Sequence, residues 1–245
     1  MNDSYTLRPL HHLRTCAALV CLALFSGRAE AQQVPRPPAP LLPVAAPSPK
    51  SVNNAAKVIE DFARAWAGVS AYSARVTVFE TNGSAVDKGL AAQDAVLDYG
   101  FRKPTSVTVR VLSGPNAGVT IQWDGGATVV ARRGSGLAAL FKKTLSLHDP
   151  LLTTARGSSI DQLGYGAILT HAREAGGTLS EAPADAINGV AAEAVTLIPS
   201  KADDVGLTRE VVELSTITHL PMRILGFDGM TLVRRIDFTN VNVSG

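Results

Sequence analysis

Short turn signals follow one another closely along this chain, and they constrain its fold more than any other feature. Asp124-Gly125-Gly126 separates Gly118–Trp123 from Thr128–Arg132, and Asp228-Gly229 separates Met222–Phe227 from Thr231–Val243. Asn82-Gly83 follows Tyr72–Glu80 in the same way. Turns this tight leave no room for a crossover helix, so the flanking strands run antiparallel. Ser106–Leu112 (SVTVRVL) alternates Val107, Val109 and Val111 with Thr108 and Arg110, the period of a strand with one buried face. Ala92–Phe101, Ala191–Ile198 and Thr208–Ile217 complete the strand set.

Two segments break the strand pattern. From Ser51 to Ala67, Val52, Ala55, Ala56, Ile59, Phe62, Ala63 and Trp66 recur at steps of three and four. That is an amphipathic helix, capped by Ser51 and stopped at Gly68. Gly134–Leu147 reads as an apolar loop, and Ser159–Ala175 as a second helix ended by Gly176-Gly177. Helix, about five strands, loop and helix, then about four strands give an α+β fold. The expected architecture is a strongly curved antiparallel sheet, an incomplete β-barrel, with helices covering its concave face.

The N-terminus has the three parts of an export signal. A mildly basic start (Arg8, His11, His12, Arg14) precedes the apolar run Thr15–Phe25, and small residues stand at Ala29 and Ala31. Cleavage is expected after Ala31, giving a periplasmic protein. The run is too short to cross a bilayer of about 30 Å, so no permanent membrane span is expected. Gln32–Lys50 is proline-dense and reads as a linker, which leaves residues 51–245 as one domain.

Cys16 and Cys21 both lie in the signal, so the processed chain is expected to have no disulfide, thiolate metal site or cysteine nucleophile. The net charge of +2 and the absence of a basic, aromatic-interleaved tract speak against a nucleic-acid partner. No G-x-S-x-G elbow or Walker loop is present. Gly157-Ser158-Ser159 reads as a helix cap, and Gly134-Ser135-Gly136 as a glycine turn. His148, His171 and His219 have no ligand-like spacing, so neither a metal nor a cofactor is expected. Asp203-Asp204 lacks the further ligands of a calcium loop. In the pairs Arg132-Arg133 and Arg234-Arg235, one side chain faces each side of the sheet. An inward arginine suits an anionic headgroup or a structural ion pair.

Four stretches carry a family likeness. They are the helix-to-strand passage Gly68–Ala74, the Arg102-Lys103-Pro104 step, the segment Leu147–Leu169, and the closing hairpin Thr218–Val243 with Leu220-Pro221. In these the chain resembles the LolA/LolB-like superfamily of bacterial periplasmic lipoprotein carriers, over roughly Val52–Val243. The resemblance implies an incomplete barrel with helices as a lid and a hydrophobic ligand between them. The implied partners are lipid or lipoprotein acyl chains, and the implied role is a carrier or an envelope sensor rather than an enzyme. From the apolar patterning, Phe62, Trp66, Val109, Leu140, Phe141, Leu163 and Ile168 are the candidate cavity lining. The alternative is an interaction module for an envelope partner protein, with its own side chains filling the core.

Overall fold

The structure is a computed structural model that describes residues 49–81, 93–114, 116–134, 142–174, 176–203 and 205–245. The export signal, most of the linker, the Asn82-Gly83 turn, Leu140 and Phe141 lie outside the described residues.

Eleven antiparallel strands form one sheet. The first group is β1 (Ala71–Glu80), β2 (Gln93–Arg102), β3 (Ser106–Ser113), β4 (Val119–Trp123), β5 (Thr128–Arg133) and β6 (Lys142–Ser146). The second is β7 (Thr178–Ala182), β8 (Ala192–Ile198), β9 (Arg209–Ser215), β10 (Pro221–Asp228) and β11 (Thr231–Ser244). Their order across the sheet is β6-β5-β4-β3-β2-β1-β11-β10-β9-β8-β7. Each group is a meander, and the two join where β1 pairs with β11, Val76 opposite Phe238 and Val78 opposite Ile236. The outer strands β6 and β7 do not pair with each other, so the barrel stays open.

Helix α1 (Pro49–Ala67) begins two residues before the expected start, with proline in its first turn, where the missing N–H is no loss. It lies along β7 and β8 and buries Ala55, Val58, Ile59 and Phe62. The expected second helix is two pieces: a 3₁₀ turn, Ile160–Leu163, and α2 (Tyr165–Glu174). The break falls at Gly164, whose φ of −76° and ψ of 148° are extended. A Cβ there would stand 3.1 Å from the Tyr99 hydroxyl, so the glycine permits the close approach. Through Leu163 this two-piece segment lines one cavity together with Ile121 of β4, and through His171 it reaches Glu210 of β9. Those strands lie six places apart, about 29 Å in a flat sheet, so the sheet curls around the helices.

Two strands were not expected. Lys142–Ser146 falls in what reads as an apolar loop, and its pattern of one buried residue, Leu145, among exposed ones gives only a faint period-two signal. Thr178–Ala182 follows α2 directly through Gly177. A Cβ at Gly177 would lie 1.8 Å from the Ile198 carbonyl oxygen, so only glycine lets β7 reach β8 at this point.

The core lies between the inner sheet face and the helices. Val76, Val107, Val109, Ile236 and Phe238 from the sheet meet Phe62, Leu163, Tyr165 and Ile168. No helix among the described residues is long and apolar enough to cross a membrane.

Candidate functional site: an aromatic groove beside two smaller cavities

The helices cover the inner sheet face incompletely. A groove of ≈ 710 Å³ opens between the last turn of α1, strands β2–β4 and α2. Its walls include Trp66, Tyr99, Phe101, Val107, Trp123 and Leu169. Trp66 and Trp123 are the chain's two tryptophans.

The strand register builds an aromatic cluster in which Trp66, Tyr99 and Phe101 face this groove and Tyr72 and Tyr165 are buried. Tyr72 on β1 is opposite Phe101 on β2, and Ala74 is opposite Tyr99, so alternate inward positions carry rings on neighbouring strands. The Tyr72 and Tyr165 rings stack with centroids 4.3 Å apart and planes 5° apart. Trp66 stands edge-on to Tyr72 at 6.0 Å and to Tyr165 at 6.1 Å, and tilts against Phe101 at 5.2 Å. Phe238 closes the cluster 5.2 Å from Tyr165. Such edge and offset pairs contribute beyond the area they bury. The Tyr72 hydroxyl accepts a hydrogen bond from the Tyr165 backbone N–H at 3.3 Å. Burial pushes the Tyr72, Tyr99 and Tyr165 hydroxyls well above the usual phenol range, so all three stay neutral.

The rim is held by Lys103. Its Nζ donates to the Trp66 and Ala67 carbonyl oxygens at 2.8 and 3.2 Å, and lies 4.7 Å from the Trp66 ring centroid. A cation at the carbonyl end of α1 is favourable, and this one also fixes the Trp66 ring. Trp123 is anchored through its Nε1–H, which donates to the Gly126 carbonyl of the β4–β5 turn at 2.6 Å.

A second cavity, ≈ 100 Å³, lies deeper between β1–β4 and the segment Leu152–Leu163. Val78, Leu97, Val109, Ile121 and Leu163 make it apolar. It is smaller than the ~150 Å³ void that accepts a benzene ring in a protein interior.

The third cavity, ≈ 140 Å³, is polar and lies between α2 and strands β9–β11, bordered by His171, Asp203, Glu210 and Arg234. His171 Nε2 is 3.8 Å from Glu210 Oε1, and Arg234 Nε is 3.6 Å from Glu80 Oε1. Burial pushes the Glu210 carboxyl above its usual range, against the pull of Arg234 and His171. Arg234 is the inward member of its pair and serves buried carboxylates. Arg235 faces out and donates to Asp237 Oδ2 at 2.6 Å.

The candidate lining is divided among these spaces. Trp66 borders the groove, Val109 and Leu163 the small apolar cavity, and Ile168 the polar one. Phe62 is fully buried and borders none of the three. Tyr72, Tyr99, Phe101, Tyr165 and Trp123 were not among the candidates. For the four on strands the signal was available as rings on the inward-facing positions, but facing partners emerge only once the register is known; Tyr165 opens α2.

Most of the other singled-out residues have structural partners. His148 is exposed, and Asp149 Oδ1 accepts from Leu151 N at 2.9 Å within its own turn. His219 Nδ1 is 3.0 Å from Glu193 Oε1. Asp203 Oδ1 accepts from Val205 N and Leu207 N at 3.2 and 2.7 Å. Ser158 donates its hydroxyl to buried Glu80, while the backbone N–H of Ser159 donates to Gln162 Oε1 at 3.1 Å at the head of the 3₁₀ turn. No group of three or more metal-ligating side chains converges among the described residues.

No protein-family model matches the chain. No curated protein matches it. Solved structures do. Lipoprotein LppX of Mycobacterium tuberculosis is 15% identical, with a TM-score of 0.46 over 79% of this chain and 95% of that one. A putative outer membrane lipoprotein-sorting protein domain from Vibrio parahaemolyticus is 12% identical, with a TM-score of 0.41 over 78% and 94%. A LolA superfamily protein from Nitrosomonas europaea is 9% identical, with a TM-score of 0.35 over 78% and 94%. At these identities and TM-scores none of the likenesses assigns a ligand to this chain.

Proposed function

We propose that the protein is exported through its N-terminal signal, cut after Ala31, and works in the periplasm as a lipid-binding carrier or envelope sensor. An acyl chain or similar apolar group lies in the aromatic groove, against Trp66, Phe101, Trp123 and Leu169. The observation that carries this reading is the groove itself: inner sheet face that the helices leave open and that is lined with rings. Each buried methylene contributes about 0.8 kcal/mol, so a chain laid along such a wall gains affinity steadily with length. Binding of this kind needs no nucleophile, metal or cofactor.

Because both tryptophans border the groove, their fluorescence reports its occupant. A fatty acid brominated along its chain should quench the emission at saturating ratio, in the wild type and in Trp66→Phe and Trp123→Phe alike. Absence of quenching by brominated fatty acid and brominated phospholipid would refute the reading. The small size of the inner cavity favours the second reading, an interaction module with a self-filled core. That reading gains if a partner protein is retained by the purified chain and no lipid co-purifies in native mass spectrometry.

A further inference from the structure

Charge is segregated along the sheet. Strands β3, β4, β5 and β6 carry five basic residues (Arg110, Arg132, Arg133, Lys142 and Lys143) and no acidic one. Three of the five share a single cross-strand row. Arg110 is opposite Thr120, Thr120 is opposite Arg132, and Arg132 is opposite Lys142. The row lies on the outer face: Arg110 stands between Val109 and Val111, which are buried in the inner wall. Neighbouring strands are about 4.8 Å apart, so the row places three cations within about 15 Å.

Arg132 and Lys142 are directly opposed like charges, an arrangement that destabilises a strand pair. Among the described residues neither is in an ion pair, and nor is Arg110. The Arg132 guanidinium donates to Gln122 Oε1 at 3.2 Å, a neutral partner, and its Nε is buried with none. The acid beside the row, Asp98 opposite Arg110, is engaged by Arg75 at 2.8 Å. A cationic row with no internal counter-charge is relieved by an external anionic one.

We infer that this outer face of β3–β6 docks the protein on an anionic phospholipid bilayer. The rest of the face decides between a bilayer and a protein. Around the row stand Ser106, Thr108, Gln122 and Thr144, polar groups suited to phosphate oxygens, with half-buried Val130 between Gln122 and Thr144. No aromatic side chain stands on this face of the four strands. Specific protein interfaces bury such anchors at their centre, whereas adsorption to charged headgroups needs only a spread of cations on an open surface. The inner faces of β3 and β4 form part of the wall of the groove and of the apolar cavity, so docking would bring that wall close to the bilayer. The inference concerns the outer face and stands whether or not the groove holds a lipid.

Co-sedimentation of the purified chain with vesicles tests it. Binding is expected to vesicles containing phosphatidylglycerol and not to pure phosphatidylcholine, and should weaken as salt is added. Arg110→Gln and Lys142→Gln, both at exposed positions, should each weaken binding about fivefold, and the double variant about thirtyfold. Lys201→Gln, an exposed charge in the loop after β8, should leave it unchanged. Equal binding to phosphatidylcholine, no binding to either vesicle, or a double variant that binds like wild type would overturn the inference. So would binding to soluble poly-glutamate without vesicle binding, which would assign the face to an acidic protein. Bromine quenching in detergent, with no bilayer present, reads the groove separately, so either reading can fail alone.

Discussion

Ser158 donates its hydroxyl to Glu80 Oε1 at 2.9 Å, joining the segment that crosses the inner face to the end of β1. Glu80 is fully buried, and its other oxygen accepts from the Arg156 backbone N–H at 2.9 Å. The Arg156 guanidinium then reaches outward, donating to the carbonyl oxygens of Val205, Thr81 and Gly206 at 2.7, 3.2 and 3.2 Å. One buried carboxylate therefore fastens the covering segment to β1, and the arginine beside it fastens that segment to the loop before β9. Removing one partner of a buried charged network leaves the others unpaired. Glu80→Ala should lower unfolding stability by about 3 kcal/mol. Ser158→Ala should cost about 1.5–3 kcal/mol, as for one hydrogen bond to a charged group. Urea unfolding monitored by circular dichroism checks both, and a loss below 1 kcal/mol for Glu80→Ala would remove the latch from this account.

Tyr165 gives the opposite sign. Its ring is fully buried against Tyr72 and Phe238, yet its hydroxyl has no hydrogen-bond partner. An unmet buried donor costs the desolvation of that group. Tyr165→Phe keeps the stack and removes the orphan, so it should leave stability unchanged or raise it by up to about 1 kcal/mol. Tyr72→Phe should instead destabilise, because it takes the acceptor from the Tyr165 N–H. The two variants side by side in thermal unfolding test the assignment.

The meander was legible because its signals are local. Asp124-Gly125-Gly126 and Asp228-Gly229 join the strands they were expected to join, and Gly125 and Gly229 have the positive φ such turns need, 86° and 58°. Phe62 and Ile59 were legible as helix core because the 3.6-residue period is also local. The groove was not. Tyr99, Phe101, Val107 and Trp123 are scattered through three strands and become one wall only through the pairing of β2, β3 and β4. Lys142–Ser146 and Thr178–Ala182 were missed because each is short and has an exposed majority or half-buried pattern, which composition reads as loop. Arg110, Arg132 and Lys142 likewise form a row only in register.

Glu210 should make stability depend on pH. Burial raises its carboxyl above the usual range, with Asp203 adding to the rise and Arg234 and His171 opposing it. Between the ordinary carboxylate value and the raised one, the folded chain holds a proton that the unfolded chain has lost. Stability from this site is then full below the ordinary value and falls as pH rises through the raised one. Glu210→Gln removes that loss. The variant should be more stable than wild type at neutral pH, and the difference should vanish in acid, where Glu210 is protonated in both states. Urea midpoints measured from acid to neutral check this, and a Glu210→Gln variant less stable than wild type at neutral pH would show that the pairing with Arg234 and His171 outweighs burial.

Trp123 separates ligand contact from fold better than Trp66 does. Trp66 packs against Tyr72, Phe101 and Tyr165 and receives Lys103, so its truncation disturbs the core as well as the groove. Trp123 is only partly buried, and its single hydrogen bond goes to its own hairpin turn. Trp123→Ala, losing the packing of a half-buried ring and one hydrogen bond, should cost about 2 kcal/mol, less than truncating Trp66. If an acyl chain lies against the indole, losing about 60 Å² of apolar contact at 25 cal/mol per Å² should weaken binding about tenfold. Glu193→Gln, on the far strand β8, should leave affinity unchanged. Titration with a fluorescent fatty acid reads both. Equal affinity in Trp123→Ala and wild type would place the ligand elsewhere, with the apolar cavity behind Leu163 the next position to probe.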